Sequence, residues 1–257
     1  MHNFHWDTIG TGKINLILLN GWGINSNIWM FIIKQLQYDF KFYLIDLPGS
    51  GKNKNLLPEK IDTIIKILYK KMPKNAIWIG WSIGGLIVNY FALCYPQHAL
   101  ALINVASSPC FIEKKNWPGI KKHIIHKFYY NLKTKYHQTI NTFLDIEQIN
   151  SKKHSKDISI LKKIFYQSPP HIELLNNGLE IIFLFDLRVD MAYLKIPILR
   201  IYGELDNLIP KKIASILDSK WPRTHSIIIK KAAHAPFITN KNQFCSILLN
   251  FKKSLLK

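Results

Sequence analysis

The sequence predicts an α/β fold: a doubly wound, mostly parallel sheet carrying a helical insertion. Three observations predict it. Short apolar runs recur along the chain, several of them apolar at every position, as strands buried on both faces of a parallel sheet are. Segments with helical spacing lie between these runs, and strand and helix in alternation wind a sheet through crossover helices. The rhythm breaks from about 111 to 187, where lysine-rich helical periodicity replaces the strand signals.

The elements follow in order. An apolar run at Leu16–Leu19 ends in "LLNGWG", a glycine-flanked turn that carries Trp22. Helical spacing over Ile28–Gln37 leads to a strand at Phe42–Ile45, and Ile61–Lys71 leads to Ala76–Gly80. A helix over Gly84–Tyr95 precedes the strand Ala101–Val105. Beyond the insertion come strand Ile198–Tyr202, helix Lys211–Lys220, strand Ser226–Ile229 and helix Asn242–Leu256. The expected division is a core of residues 1–110 and 188–257 and a cap of residues 111–187.

Composition narrows the class. At 257 residues and 48% hydrophobic the chain is long enough to bury a large core. Its apolar windows, such as Ile14 to Leu19, fall far short of the roughly 20 residues of a membrane span. The start "MHNFHWDTIG" lacks the basic and apolar regions of a signal peptide, so a cytoplasmic protein is expected. Cys94, Cys110 and Cys245 are widely spaced and form no CxxC pair, which suggests neither zinc nor a disulfide framework. They are expected in the core or just beneath the surface. The net charge is +19, yet only three of the 35 basic residues are arginines, Arg188, Arg200 and Arg223. Lysine spread along the whole chain does not resemble the clustered basic and aromatic surface of a nucleic-acid binder. An acidic protein partner remains compatible with it.

Chemistry concentrates at strand ends. In "AIWIGWSIGG" an apolar strand runs into Gly80-Trp81-Ser82-Ile83-Gly84 and then a helix, so G-x-S-x-G stands in the strand-to-helix context of a nucleophile elbow. Serine is a weak nucleophile without a base and an orienting acid. "ILRIYGELDNLIP" supplies Asp206 just past a late strand, with Glu204 as a rival two residues earlier. "IIIKKAAHAPF" supplies His234 in a small-residue loop after the last strand, whereas His225 precedes that strand and sits at the wrong end. The order serine, acid, histidine is that of an α/β-hydrolase. In that fold one oxyanion donor is the amide after the nucleophile, here Ile83, and the other comes from the loop after an early strand, where Trp22 stands. Trp22 also reads as a packing residue over the sheet, and the two roles are compatible.

From Trp6 onward the chain resembles one family, the carboxylesterases of biotin synthesis that hydrolyse the methyl ester of pimeloyl-acyl-carrier protein. The likeness is carried by "GWG" at 21–23, "IWIGWSIGGL" at 77–86, "VASSPCF" at 105–111, "WPGIK" at 117–121, "NGLEI" at 177–181, "DLR" at 186–188 and "KAAHAPFI" at 231–238. The resemblance implies an α/β-hydrolase fold with the helical cap inserted after the sixth strand. It implies a monomeric serine esterase with no metal or organic cofactor and a Ser82, Asp206, His234 triad. Trp22 and Ile83 would contact the substrate, and Phe143, Leu144, Asp145, Ile146 and Glu147 would line the acyl chain. The acyl-carrier protein would dock on the cap. A broad short-chain carboxylesterase with the same triad and no carrier preference is the alternative. The chain departs from the family at Asn20, where the family has histidine. It departs again at Gln138, Thr142, Ser155 and Ser159, where the family has arginines that meet the carrier. Lys133, Lys135, Lys152, Lys153 and Lys156 lie near those positions.

Overall fold

A computed structural model describes residues 4–146 and 154–256. Seven strands form one sheet in the order β1-β3-β2-β4-β5-β6-β7. They are β1 Trp6–Ile9, β2 Ile14–Leu19, β3 Phe40–Ile45, β4 Ala76–Trp81, β5 Ala99–Val105, β6 Ile198–Gly203 and β7 His225–Ile229. Every pairing is parallel except that of β1, which runs antiparallel to β3 with Trp6 opposite Ile45. All six residues of β4 and of β6 are buried; β4 reads as an unbroken apolar run, and β6 is interrupted only by Arg200, whose guanidinium donates to Asp218 and Thr224. Edge strand β1 sets Asp7 and Thr8 side by side between Trp6 and Ile9 and gives no such signal.

Helices cover both faces: α1 Met30–Leu36, α2 Ile61–Lys71, α3 Ile83–Cys94, α8 Lys212–Lys220, α9 Pro236–Thr239 and α10 Lys241–Leu255. The helix expected from Ile28 starts instead as a 3-10 turn over Ser26–Trp29, where the Asn25 side chain accepts the Asn27 amide at 3.1 Å. α2 is amphipathic, burying Ile64, Ile65 and Leu68 and exposing its lysines. α3 is buried almost all round, and its Phe91 stacks on Trp78 of β4 at 3.9 Å between ring centres. Only its last turn emerges, so Cys94 is exposed, while Cys110 and Cys245 are buried as expected.

Between β5 and β6 the chain leaves the sheet for four helices, α4 Lys122–Thr134, α5 Tyr136–Ile146, α6 His154–Gln167 and α7 Ile172–Leu184. Five strands precede this insertion rather than the six expected, because the N-terminal segment contributes the single strand β1 to the edge. Parallel register brings the ends of the central strands to one edge: Leu19 pairs with Gly80, Trp81 with Val105, Val105 with Ile201 and Gly203 with Ile229. The loops that follow β2, β4, β6 and β7 therefore meet there, and those loops carry Trp22, Ser82, Asp206 and His234.

Candidate active site

Ser82 occupies the single residue between β4 and α3, with φ 55° and ψ −123°. That conformation is costly for any residue with a side chain, of order 1–3 kcal/mol, and is kept only where its surroundings enforce it. The Ser82 amide donates to the Val105 carbonyl at 2.9 Å and its carbonyl accepts from the Gly85 amide at 3.0 Å. The flanking glycines permit the turn by close approach. A Cβ on Gly80 would lie 2.3 Å from the Gly84 carbonyl carbon, and one on Gly84 would lie 2.6 Å from the Leu19 and Asn20 carbonyl oxygens.

The histidine and the acid meet across two loops. His234 Nδ1 and Asp206 Oδ2 are 2.8 Å apart, with both side chains fully buried. The other carboxylate oxygen of Asp206 accepts the amides of Leu208 and Ile209, each at 2.9 Å. Three hydrogen bonds thus fix the position of the carboxylate. Glu204 turns away from the histidine. It accepts the Lys231 amide at 3.0 Å, and this bond, with the nearby Lys211 ammonium, holds its carboxyl below the usual glutamate range.

Trp22 lies in the turn after β2, where Gly23 follows with φ 73°. Its indole is buried and donates to the Leu175 carbonyl of α7 at 2.9 Å. The edge of the ring meets Phe143 of α5 at 4.8 Å and Phe128 of α4 at 5.5 Å. Trp22, with Asn20, Ile83, Ile87, Leu174 and Ile181, walls a narrow cavity of about 40 Å³. Among the described residues neither the Trp22 amide nor the Ile83 amide is engaged in a hydrogen bond.

The acyl-chain residues expected on α5 divide. Phe143 is brought against Trp22, and Leu144 is fully buried within the insertion. Asp145 faces α6, where its carboxylate pairs with Lys162 at 2.9 Å. The Ile146 side chain and Glu147 lie outside the described residues. Among the described residues no group of three or more histidine, cysteine, aspartate and glutamate side chains is arranged to hold a metal ion.

Two residues that hold the site together escaped the sequence reading. Asp46, just after β3, accepts the Ser26 amide at 2.7 Å and the Lys52 amide at 3.0 Å, tying the turn after β2 to the turn after β3. Its signal is an aspartate between a buried strand and the glycine-rich "LPGSG". Trp81 donates from its indole to the His234 carbonyl at 2.8 Å. The same ring lies where a Cβ on Gly21 would be, at 2.8 Å. One indole thus braces both the histidine loop and the Trp22 loop.

Comparison with known proteins follows the same line. The family model described as the alpha/beta hydrolase fold matches residues 14–241. A pimeloyl-[acyl-carrier protein] methyl ester esterase of Yersinia pseudotuberculosis serotype IB is 40% identical over 252 residues, 98% of this chain and 98% of its own length. One of Salmonella enteritidis is 40% identical over 256 residues, 99% of this chain and its whole length. Among solved structures, an esterase from Exiguobacterium antarcticum superposes with a TM-score of 0.86 at 16% identity, covering 97% of this chain and 95% of its own, a likeness of fold alone. No helix among the described residues is long and apolar enough to cross a membrane.

Proposed function

The chain belongs to the α/β-hydrolase fold family and, within it, to the pimeloyl-[acyl-carrier protein] methyl ester esterases, and we propose that Ser82, His234 and Asp206 carry its chemistry. It is a carboxylic ester hydrolase. The observation that carries the assignment is the buried 2.8 Å contact of His234 Nδ1 with an Asp206 carboxylate held by two amides.

The mechanism follows from that contact. With Nδ1 committed to Asp206, proton exchange with the serine goes through Nε2. Ser82 Oγ attacks the ester carbonyl carbon, its proton passes to His234, and the carbonyl oxygen takes up the negative charge. The Trp22 and Ile83 amides are the donors for that oxygen, each worth roughly 3–4 kcal/mol of transition-state stabilisation. Collapse of the adduct expels methoxide, which takes the proton from His234 and leaves as methanol. Water, deprotonated by His234, then attacks the acyl-enzyme and releases the carboxylic acid and Ser82. Asp206 stays ionised throughout and stabilises the imidazolium.

The substrate is the methyl ester of pimeloyl-acyl-carrier protein, hydrolysed to the free pimeloyl-acyl-carrier protein in biotin synthesis, with the enzyme acting as a cytoplasmic monomer. Residues 111–187 serve as the cap, whose Phe143 lines the acyl chain beside Trp22. The net charge of +19 supports an acidic carrier as partner. Methanol release from the carrier-bound ester tests the reading. It is expected from the wild type and abolished in Ser82→Ala. Survival of activity in that variant overturns the triad. Equal kcat/KM on carrier-bound ester and free methyl pimelate favours instead a short-chain carboxylesterase without carrier preference.

A further inference from the structure

The four helices of the insertion converge on one short turn of the core, Trp22-Gly23. The Trp22 indole donates to the Leu175 carbonyl of α7 at 2.9 Å, and its ring meets Phe128 of α4 and Phe143 of α5 edge-on. Gly23 lies against the remaining helix: a Cβ on it would stand 3.0 Å from Cε2 of Phe165, on α6. We infer that the insertion positions the oxyanion donor. It holds the Trp22 amide in place through the Trp22 indole, and does so for every ester the enzyme cleaves, including those too short to reach the insertion. The inference rests on the triad and the oxyanion amides proposed above and gives the insertion a part in the chemistry itself, apart from any choice of substrate.

The turn needs such a hold. Glycine on either side of Trp22 gives its flanking peptide units more freedom than any other residue would. The bond that closes the turn is long, 3.3 Å from the Ile24 amide to the Gly21 carbonyl. On the core side Asn20 is tied through its side chain and Gly21 sits over the Trp81 ring, contacts that fix the two residues before Trp22. An oxyanion donor acts only where it is aimed at the developing charge before reaction begins, and a misplacement of about 1 Å can cost about a hundredfold in rate. The indole supplies that aim. It is buried, and the helix carbonyl that receives its N–H has a lone pair to spare beyond the bond within the helix.

The second donor residue is touched from the same helix. A Cβ on Gly178 of α7 would lie 2.7 Å from Cδ1 of Trp22 and 3.4 Å from Cδ1 of Ile83, so α7 passes over both. The triad takes its hold from the core. Leu208 and Ile209 amides fix Asp206, the Trp81 indole holds the His234 carbonyl, and Val105 and Gly85 fix the Ser82 main chain. Loosening the insertion at Trp22 therefore weakens charge stabilisation and leaves the nucleophile and its base in place.

The test measures kcat and KM of wild type, Ser82→Ala, Trp22→Phe, Trp22→Pro and Phe165→Leu on p-nitrophenyl acetate and p-nitrophenyl hexanoate, well below each melting temperature. Trp22→Phe keeps a ring and the amide but loses the bond to Leu175. It is expected to lose about tenfold to a hundredfold in kcat on both esters with KM little changed, the mark of an interaction made only in the transition state. The pH at which its kcat/KM is half-maximal is expected to stay at the wild-type value, since His234 and Asp206 are untouched. Phe165→Leu, which alters neither donor residue, is expected to show a smaller loss of the same kind. A loss in Trp22→Phe confined to the hexanoate and carried by KM overturns the inference and leaves the indole a wall of the acyl pocket. Wild-type kcat on the acetate in Phe165→Leu overturns the part given to the insertion. Trp22→Pro lacks the amide N–H as well and is expected to fall below Trp22→Phe. If it does not, the Trp22 amide is not the donor, and the oxyanion reading fails together with this inference. Activity surviving in Ser82→Ala overturns the triad on which both rest.

Discussion

The Asn20 side chain ties the loop after β2 to Asp46: its Nδ2 lies 3.3 Å from the Asp46 carboxylate and 3.0 Å from the Ile45 carbonyl. Its Oδ1 accepts the Trp29 indole N–H at 2.8 Å. Asn20 thus supports the Trp22 turn through its side chain, while any oxyanion donor there is a backbone amide. Asn20→Ala strands the buried Trp29 indole, a cost of about 1–3 kcal/mol, and frees the turn. Lower thermal stability together with reduced kcat/KM is expected. Asn20→His keeps a side chain that bridges the same groups and is expected to change activity only modestly. A gain of about a hundredfold, the worth of a whole oxyanion donor, would show that the asparagine leaves the turn misplaced.

The Asp206 carboxylate sets the tautomer of His234, and Asp206→Asn isolates that role. The asparagine keeps an oxygen for the Leu208 and Ile209 amides, so the loop is retained. Its amide faces Nδ1 with a donor, which forces the proton onto Nε2 and removes the base. A fall in kcat of about 10⁴-fold is expected, the magnitude known for this exchange in serine proteases, with thermal stability little changed. Glu204→Gln, which disturbs only the contacts with the Lys231 amide and the Lys211 ammonium, away from His234, is expected to leave most of the activity. A larger loss in Glu204→Gln than in Asp206→Asn would reverse the assignment of the acid.

Gly178 of α7 faces the Trp22 indole, and the sign of Gly178→Ala is a contest between propensity and packing. In a free helix the change favours folding by about 1 kcal/mol. Here the new Cβ would lie 2.7 Å from Cδ1 and 3.1 Å from Nε1 of Trp22, on the side where the indole donates to Leu175. Overpacking of this kind costs typically 1–3 kcal/mol, so packing wins. The ring must shift and carry the turn with it, lowering both the melting temperature and kcat/KM. A variant that is more stable and equally active would show that the indole yields freely.

What the sequence made legible was what one strand or one turn encodes. Predominantly apolar runs marked β2, β4, β5 and β6, because a strand buried on both faces favours aliphatic side chains, with Asn104 and Arg200 as buried exceptions. Ser82 was readable since its turn needs glycines on either side within five residues. Strand β1 was not, as four residues with Asp7 and Thr8 among them become a strand only through pairing with β3. Contacts between distant segments were equally hidden. Nothing local to Asp145 announces Lys162, and nothing in "GWG" announces that the indole reaches Leu175, Phe128 and Phe143. The insertion's helical periodicity was plain, but the face each helix turns to the site depends on how four helices pack together.

His98 gives the stability a pH dependence with a definite sign. It follows the last turn of α3, buried against Phe91 and Tyr69, with neither ring nitrogen hydrogen-bonded among the described residues and the Lys74 ammonium nearby. Burial first and Lys74 second push its pKa below the ordinary histidine value of 6.5. The unfolded chain therefore binds this proton more readily than the folded one. Stability from this group is fully present above pH 6.5 and is lost as pH falls from there through the lowered folded value. His98→Phe keeps a ring between Phe91 and Tyr69 without a titrating group. Urea melts of wild type and variant at a series of pH values down to about 5, below the unperturbed histidine value, isolate the effect from the other titrating residues. The stability difference between the two proteins is expected to move steadily toward the variant as pH falls. A constant difference across that range would mean that His98 stays neutral in the unfolded chain as well, or finds a partner when charged.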